Sequence, residues 1–393
     1  MKNILLVHNY YQIPGGEDTV VKNEKELLEK HGHKVVLYKR SNDEIKQMNL
    51  FGKVLLPFTA IFSLKTYREV KRLIKEEAID VVHVHNTLTM VSPSVFCAAS
   101  ACKVPVVQTL HNFRMICPNG LFFCNGTVCE KCLEKGIGHA LKNSCYRNSK
   151  VQTLIVVMTM LFHRLIGTYK KVNYICLTDF NKEKILTKNK KISFVKPDRI
   201  FVKPNFTYYK ADSDVLTKRK NQGVFVGRIE EIKGIESLLE AWKDIKDIDL
   251  VLCGTGPLEI RVKEYCEKNN MTNVRMLGFT QHDEVMKIIS ESEFLILSSL
   301  LYEGFPMTIT ESLACGTPVL CSDIGNLGSL VKPDFNGYKF KPGDAEDIRA
   351  AVRQMINCDH KEEMYHNCRK CFTENYSEEA NYKILEEIYK KLR

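Results

Sequence analysis

Glu303 and Glu311 stand in the run Glu303-Gly304-Phe305-Pro306-Met307-Thr308-Ile309-Thr310-Glu311, which continues Ser312-Leu313-Ala314-Cys315-Gly316-Thr317-Pro318-Val319. The run follows an apolar stretch, Phe294–Ser298, whose length and composition predict a buried strand. Pro306 suits the first turn of a helix, where its missing N–H costs nothing, and Gly316 suits the far end. Glu303 then lies on the entry loop and Glu311 inside the helix, and the free amides at the helix start can meet a diphosphate. Two carboxylates so placed accept hydrogen bonds from separate hydroxyl groups of one ligand, a sugar at Glu303 and a ribose at Glu311.

Three further places have residue types suited to a phosphorylated, hydroxyl-rich ligand. Gly15 and Gly16 link the first apolar run to the first amphipathic stretch, and glycines let a backbone approach a phosphate closely. No G-x-G-x-x-G follows, so this is not a dinucleotide fingerprint, and a plain turn is the alternative. His111 ends the apolar run Val104–Leu110, where a ring nitrogen can donate to a sugar hydroxyl. Arg228 follows Gly223–Gly227, and Lys233 precedes a helical stretch, Ile235–Ile245.

Taken together, these segments resemble the retaining glycosyltransferases of family 4, of the bacterial surface-polysaccharide type, whose fold is GT-B. The resemblance is carried by the E-x7-E pair Glu303 and Glu311 in EGFPMTITESLACGTPV, by Val226-Gly227-Arg228-Ile229 and Lys233-Gly234, and by the Gly15-Gly16 loop. It implies that Arg228 and Lys233 contact the donor diphosphate, where fixed cations stabilise the leaving charge without a metal. It also implies donor contacts from Gly15, Gly16, Gly256 (in Gly254-Thr255-Gly256-Pro257), Gly304, Phe305, Pro306 and Glu311, with His111 and Glu303 against the sugar. The expected activity is metal-independent transfer from a nucleotide diphosphate-sugar, UDP foremost, to a glycan or polyprenyl diphosphate-linked acceptor. Retention comes with the resemblance; no carboxylate nucleophile stands out. One departure is Asn326-Leu327-Gly328-Ser329, where relatives often have Pro and then Glu; it is read as a change in helix capping.

Five cysteines, Cys117, Cys124, Cys129, Cys132 and Cys145, crowd into the segment after His111. Cys129 and Cys132 have C-x2-C spacing, and Cys117 and Cys145 complete a four-thiolate structural zinc set, with His139 in reserve. Free buried thiols and a disulfide stay open beside zinc. The other cysteines are scattered singly, as in a reducing compartment, so the chain is expected to be cytoplasmic.

The formal charge of +10 is uneven: residues 1–205 hold 32 Lys/Arg and 16 Asp/Glu, the remainder 25 and 31. A basic first half favours anionic partners. The apolar segment Val151–Gly167 is too short to span a bilayer, but beside basic residues it suits peripheral attachment to an anionic membrane surface. Two rival readings are a sugar-nucleotide 2-epimerase on the same architecture and a zinc-stapled nucleic-acid binder. Nucleic acid is not expected as a partner, because aromatic residues do not interleave with the basic stretch. Asp212-Ser213-Asp214 has the D-x-D form of metal-dependent transferases and reads as a solvated loop.

The elements that must position these residues alternate in both halves. Short β-rich runs (Asn3–His8, Lys34–Tyr38, Val81–His85, Val104–Leu110) exchange with helical stretches (Asp18–His31, Leu64–Glu77, Ser92–Ala101), and the second half repeats the pattern. Alternation of this kind predicts α/β architecture: two doubly wound, Rossmann-like domains with ligands at the carboxyl ends of their strands. The expected boundaries are residues 1–204 for an acceptor-side domain with a Cys-rich insert at 117–145, and 205–374 for a donor domain. A final helix in 375–393 is expected to return to the first domain.

Overall fold

The computed structural model describes residues 1–12, 15–208 and 219–392 and divides the chain into two compact units. One comprises Met1–Cys124, Cys129–Asn205 and Asn381–Arg393; the other comprises Asn125–Val128 and Phe206–Ala380. Asp212-Ser213-Asp214 lies outside the described residues.

The first unit holds a parallel sheet of β1 (Asn3–Tyr10), β2 (Lys34–Ser41), β3 (Val81–Val84), β4 (Val106–Leu110), β5 (Asn173–Cys176) and β6 (Ile200–Val202). Its order is β2-β1-β3-β4-β5-β6. Ile4–Val7 are fully buried, as expected for a strand covered on both faces by crossover helices. α1 (Gly16–Lys30) follows β1, and α2 (Leu50–Ile61) and α3 (Leu64–Glu76) lie between β2 and β3. α4 (Ser94–Ala101), α5 (Lys150–Leu165) and α6 (Asp179–Ile192) complete the main helices before the linker.

The second unit contains β7 (Lys220–Val226), β8 (Asp249–Cys253), β9 (Val274–Gly278), β10 (Ser292–Leu297), β11 (Val319–Ser322) and β12 (Gly337–Phe340). They pair in parallel in the order β9-β8-β7-β10-β11-β12, the doubly wound arrangement. The helices are α7 (Ile235–Trp242), α8 (Glu259–Lys268), α9 (His282–Ser290), α10 (Met307–Ala314), α11 (Gly325–Leu330), α12 (Ala345–Ile356) and α13 (Lys361–Asn375). Trp242 is fully buried among Leu238, Leu250, Phe294 and Met355. Gly223 is required beside it, because a Cβ there would sit 2.4 Å from the Phe294 ring.

The last helix, α14 (Glu378–Lys391), belongs from Asn381 onward to the first unit. Leu385, Ile388 and Tyr389 pack with Ile4, Leu6, Val81, Val107 and Ile175, each buried side chain contributing on the order of 1.5–3 kcal/mol. Its polar residues reach a charged cluster inside the sheet edge. Asn381 Oδ1 accepts from Lys203 Nζ at 3.0 Å, and the Tyr389 hydroxyl meets His83 Nδ1 at 2.7 Å. Glu24, from α1, is wholly buried, with Lys203 Nζ 3.0 Å, His83 Nδ1 2.9 Å and His85 Nε2 3.2 Å from its carboxylate oxygens. These approaches are not aligned as hydrogen bonds, so charge holds the carboxylate in place. Burial pushes the Glu24 carboxyl up, but His83 and Lys203 outweigh it and keep the group well below its ordinary value of 4.5.

α2 has no counterpart in the periodicity of the sequence, because Gly52 and Pro57 interrupt its pattern. Asn49 starts it, its side-chain oxygen accepting from the Gly52 N–H at 2.8 Å. Pro306, expected inside the first turn of α10, instead stands at the N-cap with extended backbone, and the helix begins at Met307.

Lys203→Met leaves a buried carboxylate without its ammonium and is expected to lower stability by about 3–5 kcal/mol at neutral pH, read by urea unfolding with circular dichroism. Glu24 binds fewer protons folded than unfolded, so its contribution is complete above its ordinary value of 4.5 and is lost as pH falls through the lower folded value. The deficit of the variant therefore shrinks in acid.

Candidate active site

The strand order of the second sheet reverses between β7 and β10, so the loops leaving those two strands part at the carboxyl edge. The β7 loop carries Arg228 and Lys233, and the β10 loop carries Ser299 and Glu303. Lys233 Nζ donates to Glu303 Oε1 at 2.7 Å, and Ser299 Oγ donates to the same oxygen at 2.5 Å. Burial alone would raise the Glu303 carboxyl, yet the Lys233 charge and these two hydrogen bonds hold it below the usual range. An ionised Glu303 accepts from a hydroxyl and does not serve as an acid near neutrality.

The backbone allows this pair to form. Gly234 has φ +67°, and a Cβ there would lie 2.0 Å from the Ser298 carbonyl oxygen. Ser298 Oγ donates to the Lys233 carbonyl at 2.8 Å, and Leu300 N–H donates to Ile232 O at 2.9 Å, which stitches the two loops together. Asn326, on α11, donates to the carbonyls of Glu303 and Gly304, each at 2.6 Å. The departure read as a capping change thus fastens the Glu303 loop. Gly256 comes so close that a Cβ would meet Ile229 O at 2.3 Å, and its N–H donates to Glu259 Oε1 at 2.6 Å.

Glu311 is buried on α10 and pairs with His282 Nε2 at 3.1 Å. That hydrogen bond raises the His282 imidazole above its ordinary value of 6.5 against the pull of partial burial. The contribution of the His282 imidazolium is therefore complete below 6.5 and is lost as pH rises through its raised value. Phe305 is buried, its ring 5.9 Å from Tyr376. Arg228 is exposed, with Glu230 at 3.3 Å. Thus Lys233, Glu303, Gly304, Phe305 and Pro306 share one loop pair, Gly256 and Arg228 flank it through Ile229, and Glu311 lies along the next helix. Ser299 and His282 carried no sequence signal of their own, and Asn326 was marked only as a change in capping.

In the first unit, the order reverses between β1 and β3, and the polar groups collect at the same carboxyl edge. Gly15 and Gly16 open α1, but the Gly15 N–H is taken by Asp18 Oδ2 at 3.0 Å, and Asp18 Oδ1 lies 2.7 Å from His8 Nε2. His111 follows β4, its Nε2 at 3.0 Å from His85 Nδ1 and the two rings stacked. Burial, then the neighbouring His85 and His8, hold His111 well below its ordinary value, so it is neutral near pH 7. Its Nε2 is committed to His85, which leaves Nδ1 as the ring atom a ligand would meet. A cavity of about 70 Å³ opens beside it, lined among others by His85, Asn86, His111, Asn112 and Arg114. Arg114 donates to the Tyr11 hydroxyl at 2.8 Å and is a cation the sequence reading passed over.

The five clustered cysteines are free thiols, and four of them gather in two pairs. Cys124 and Cys145 sulfurs are 3.8 Å apart, and Cys117 meets Cys132. The pairing therefore joins Cys145 to Cys124, which the expected zinc set had left out in favour of Cys129. The Cys132 thiol and the N–H groups of Phe122, Gly120 and Asn119 bring the Cys117 thiol down to about 7. Among the described residues, the metal-ligating atoms that converge within 4.8 Å are those of Glu24, His83 and His85, and the Lys203 ammonium already neutralises that group.

The glycine contacts generate a test. Gly234→Ala and Gly256→Ala force a Cβ into backbone oxygen at 2.0 and 2.3 Å and are expected to displace the loop and abolish nucleotide binding in calorimetric titration. Gly15→Ala meets nothing within 4 Å and is expected to change stability by less than about 0.5 kcal/mol in thermal unfolding.

Known proteins resemble this chain in both halves. Residues 14–157 match the family described as Glycosyltransferase Family 4, and residues 210–371 match Glycosyl transferases group 1. An uncharacterized glycosyltransferase of Methanocaldococcus jannaschii is 30% identical over 172 residues, 44% of this chain and 48% of that protein, so the match spans about half of that relative's length. The UDP-Gal:alpha-D-GlcNAc-diphosphoundecaprenol alpha-1,3-galactosyltransferase of Escherichia coli is 23% identical, over 84% of this chain and 80% of its own. The solved structure of Anabaena HepE with UDP-glucose superposes with a TM-score of 0.65 at 14% identity, covering 99% of this chain and 100% of that one. Neither the epimerase nor the nucleic-acid reading is favoured by these matches. The chain, a Glycosyltransferase Family 4 segment followed by a group 1 segment on two Rossmann-like units, is a glycosyltransferase of the GT-B kind.

Proposed function

We propose that this protein is a retaining, metal-independent transferase that takes a sugar from a nucleotide diphosphate-sugar, UDP foremost, for cell-surface polysaccharide synthesis. The acceptor is a glycan or a polyprenyl diphosphate-linked sugar, met in the cytoplasm at the inner face of the membrane. The observation that carries the reading is the convergence of Lys233 and Ser299 on an ionised, largely buried Glu303 at the strand-order reversal of the second sheet. Structures of a similar fold bind UDP and UDP-glucose, and the Escherichia coli relative is named for UDP-Gal and a diphosphoundecaprenol acceptor.

In this reading each group has one task. Cleavage of the glycosyl bond leaves negative charge on the nucleotide diphosphate, which Lys233 and exposed Arg228 stabilise as fixed cations while its departing oxygen takes the acceptor hydroxyl's proton. Glu303 accepts from a hydroxyl of the sugar and, while the site waits, keeps the Lys233 ammonium in place. Glu311, oriented by His282, accepts from the ribose. Gly15, Gly16, Gly256 and the Gly304-Phe305-Pro306 turn bring backbone close to the donor, and neutral His111 offers Nδ1 to the sugar.

We also propose a structural zinc ion on Cys117, Cys129, Cys132 and Cys145, whose thiols would have to draw together on it, since no three of them converge within 4.8 Å among the described residues. Cys132 and the neighbouring N–H groups lower the Cys117 thiol, which favours the thiolate form a metal takes. Metal analysis of protein purified without chelator is expected to find about one zinc per chain; none would remove the assignment and leave the transferase reading intact.

Calorimetric titration of UDP, GDP and ADP into the wild-type protein and Glu311→Ala, without added metal, tests the donor site. One nucleotide is expected to bind, and loss of the ribose contacts should weaken it about tenfold or more. No binding at millimolar nucleotide would overturn the reading.

A further inference from the structure

The first unit presents an apolar surface built from two helices. On α2, Leu50, Phe51, Val54, Leu55 and Phe58 are all exposed, Leu50 by 80%, Phe51 by 71% and Phe58 by 68%. Their spacing of one and three residues puts them on one face of the helix. On α5, Val151, Leu154, Met158, Leu161 and Leu165 are exposed at alternating steps of three and four, again one face. The opposite face of α5 is already satisfied, with Val156, Val157 and Met160 packed on Leu88 and Ile137. α5 therefore carries apolar residues on two faces, and the core uses one of them.

The two helices form one surface. α2 packs against α5, and buried His163 of α5 meets the Ile61 carbonyl at the end of α2 at 2.8 Å through Nε2. Burial holds His163 below its ordinary value, so this link is made by a neutral ring. Phe62 stacks on the same ring with centroids 6.3 Å apart.

The charge around the surface has one sign. No Asp or Glu lies between Glu44 and Glu69, a stretch with Lys46, Lys53, Lys65 and Arg68. None lies between Glu134 and Asp179 either, where Lys135, Lys142, Arg147, Lys150, Arg164, Lys170 and Lys171 stand. Among the described residues no helix is long and apolar enough to cross a membrane. An apolar face bordered by cations, on helices of 12 and 16 residues, suits the boundary between headgroups and acyl chains rather than the bilayer interior.

We infer that the paired faces of α2 and α5 are a docking surface for an anionic lipid bilayer, with the side chains entering the interface and the lysines meeting lipid phosphates. The inference rests on the proposed reading only for its purpose, to bring the unit that holds His111 to a lipid-linked acceptor. Charge complementarity decides for lipid over a second copy of the chain, since two such basic borders would repel each other.

Flotation with phosphatidylglycerol–phosphatidylethanolamine vesicles, against pure phosphatidylcholine, is the test. Wild-type protein is expected to float with the anionic vesicles and largely remain behind with phosphatidylcholine. Leu50→Ser/Phe51→Ser/Phe58→Ser and Val151→Ser/Leu154→Ser/Leu165→Ser are each expected to reduce lipid partition about tenfold or more. Ile260→Ser/Phe279→Ser, which removes exposed apolar groups from the other unit (73% and 75% exposed), should float as the wild type does. All these side chains are exposed, so thermal unfolding and UDP titration of the same preparations should be unchanged; UDP binding without flotation sinks the docking surface alone. Equal flotation of both triple variants with the wild type, or a concentration-dependent dimer that they dissolve while vesicles go unbound, would also overturn it.

Discussion

A parallel sheet that reverses its strand order must let the loops from the two central strands part, because their crossover helices go to opposite faces. Everything chemical in the second unit depends on that constraint. At the β7/β10 reversal it brings a lysine from one loop and a glutamate from the other to 2.7 Å, although they are seventy residues apart. The pair survives burial because each member compensates the other and Ser299 satisfies the carboxylate further. Gly234 is the hinge of the arrangement: with any Cβ at its left-handed position, the Ser298 carbonyl could not approach and the loops could not be stitched.

The first unit repeats the topology with different chemistry. Its carboxyl edge gathers histidines instead of a lysine–glutamate pair, and stacked neutral rings of His85 and His111 lead from the cavity edge inward to Glu24. Burial pushes the His85 ring down to about 4, so the column carries little charge of its own. Lys203 supplies the balancing cation, and the C-terminal helix supplies Asn381 and Tyr389 to hold the ensemble. That helix covers apolar sheet residues and completes a polar cluster in the same contact. The polar cluster ties this last helix into the unit that bears His111.

The two apolar helices illustrate how burial and exposure divide one sequence signal. Val151–Gly167 is conspicuous by composition, yet composition does not say which face the core takes. Packing takes Val156, Val157 and Met160 and leaves the other stripe to solvent. α2 extends that stripe, although Gly52 and Pro57 conceal it as a helix.

Local rules made much of the molecule legible. Alternating β-rich and amphipathic runs imply crossovers and parallel sheets, and both sheets are parallel. The loop–helix grammar around Glu303, Pro306, Glu311 and Gly316 placed one carboxylate on a loop and the other in a helix, because turn and cap chemistry acts over a few residues. Pairings between distant residues stayed hidden. Ser299, His282 and Asn326 are ordinary polar residues whose importance comes from what lies across space, and the contacts of Glu24 with Lys203 and of Lys203 with Asn381 each span more than 170 positions. Sequence by itself determined the element types, the fold class and the residues equipped for chemistry, since these follow from periodicity and side-chain type. Only the tertiary structure decided which of them meet, which charges offset one another and which apolar faces stay uncovered, because those depend on distances that arise once the sheets have closed.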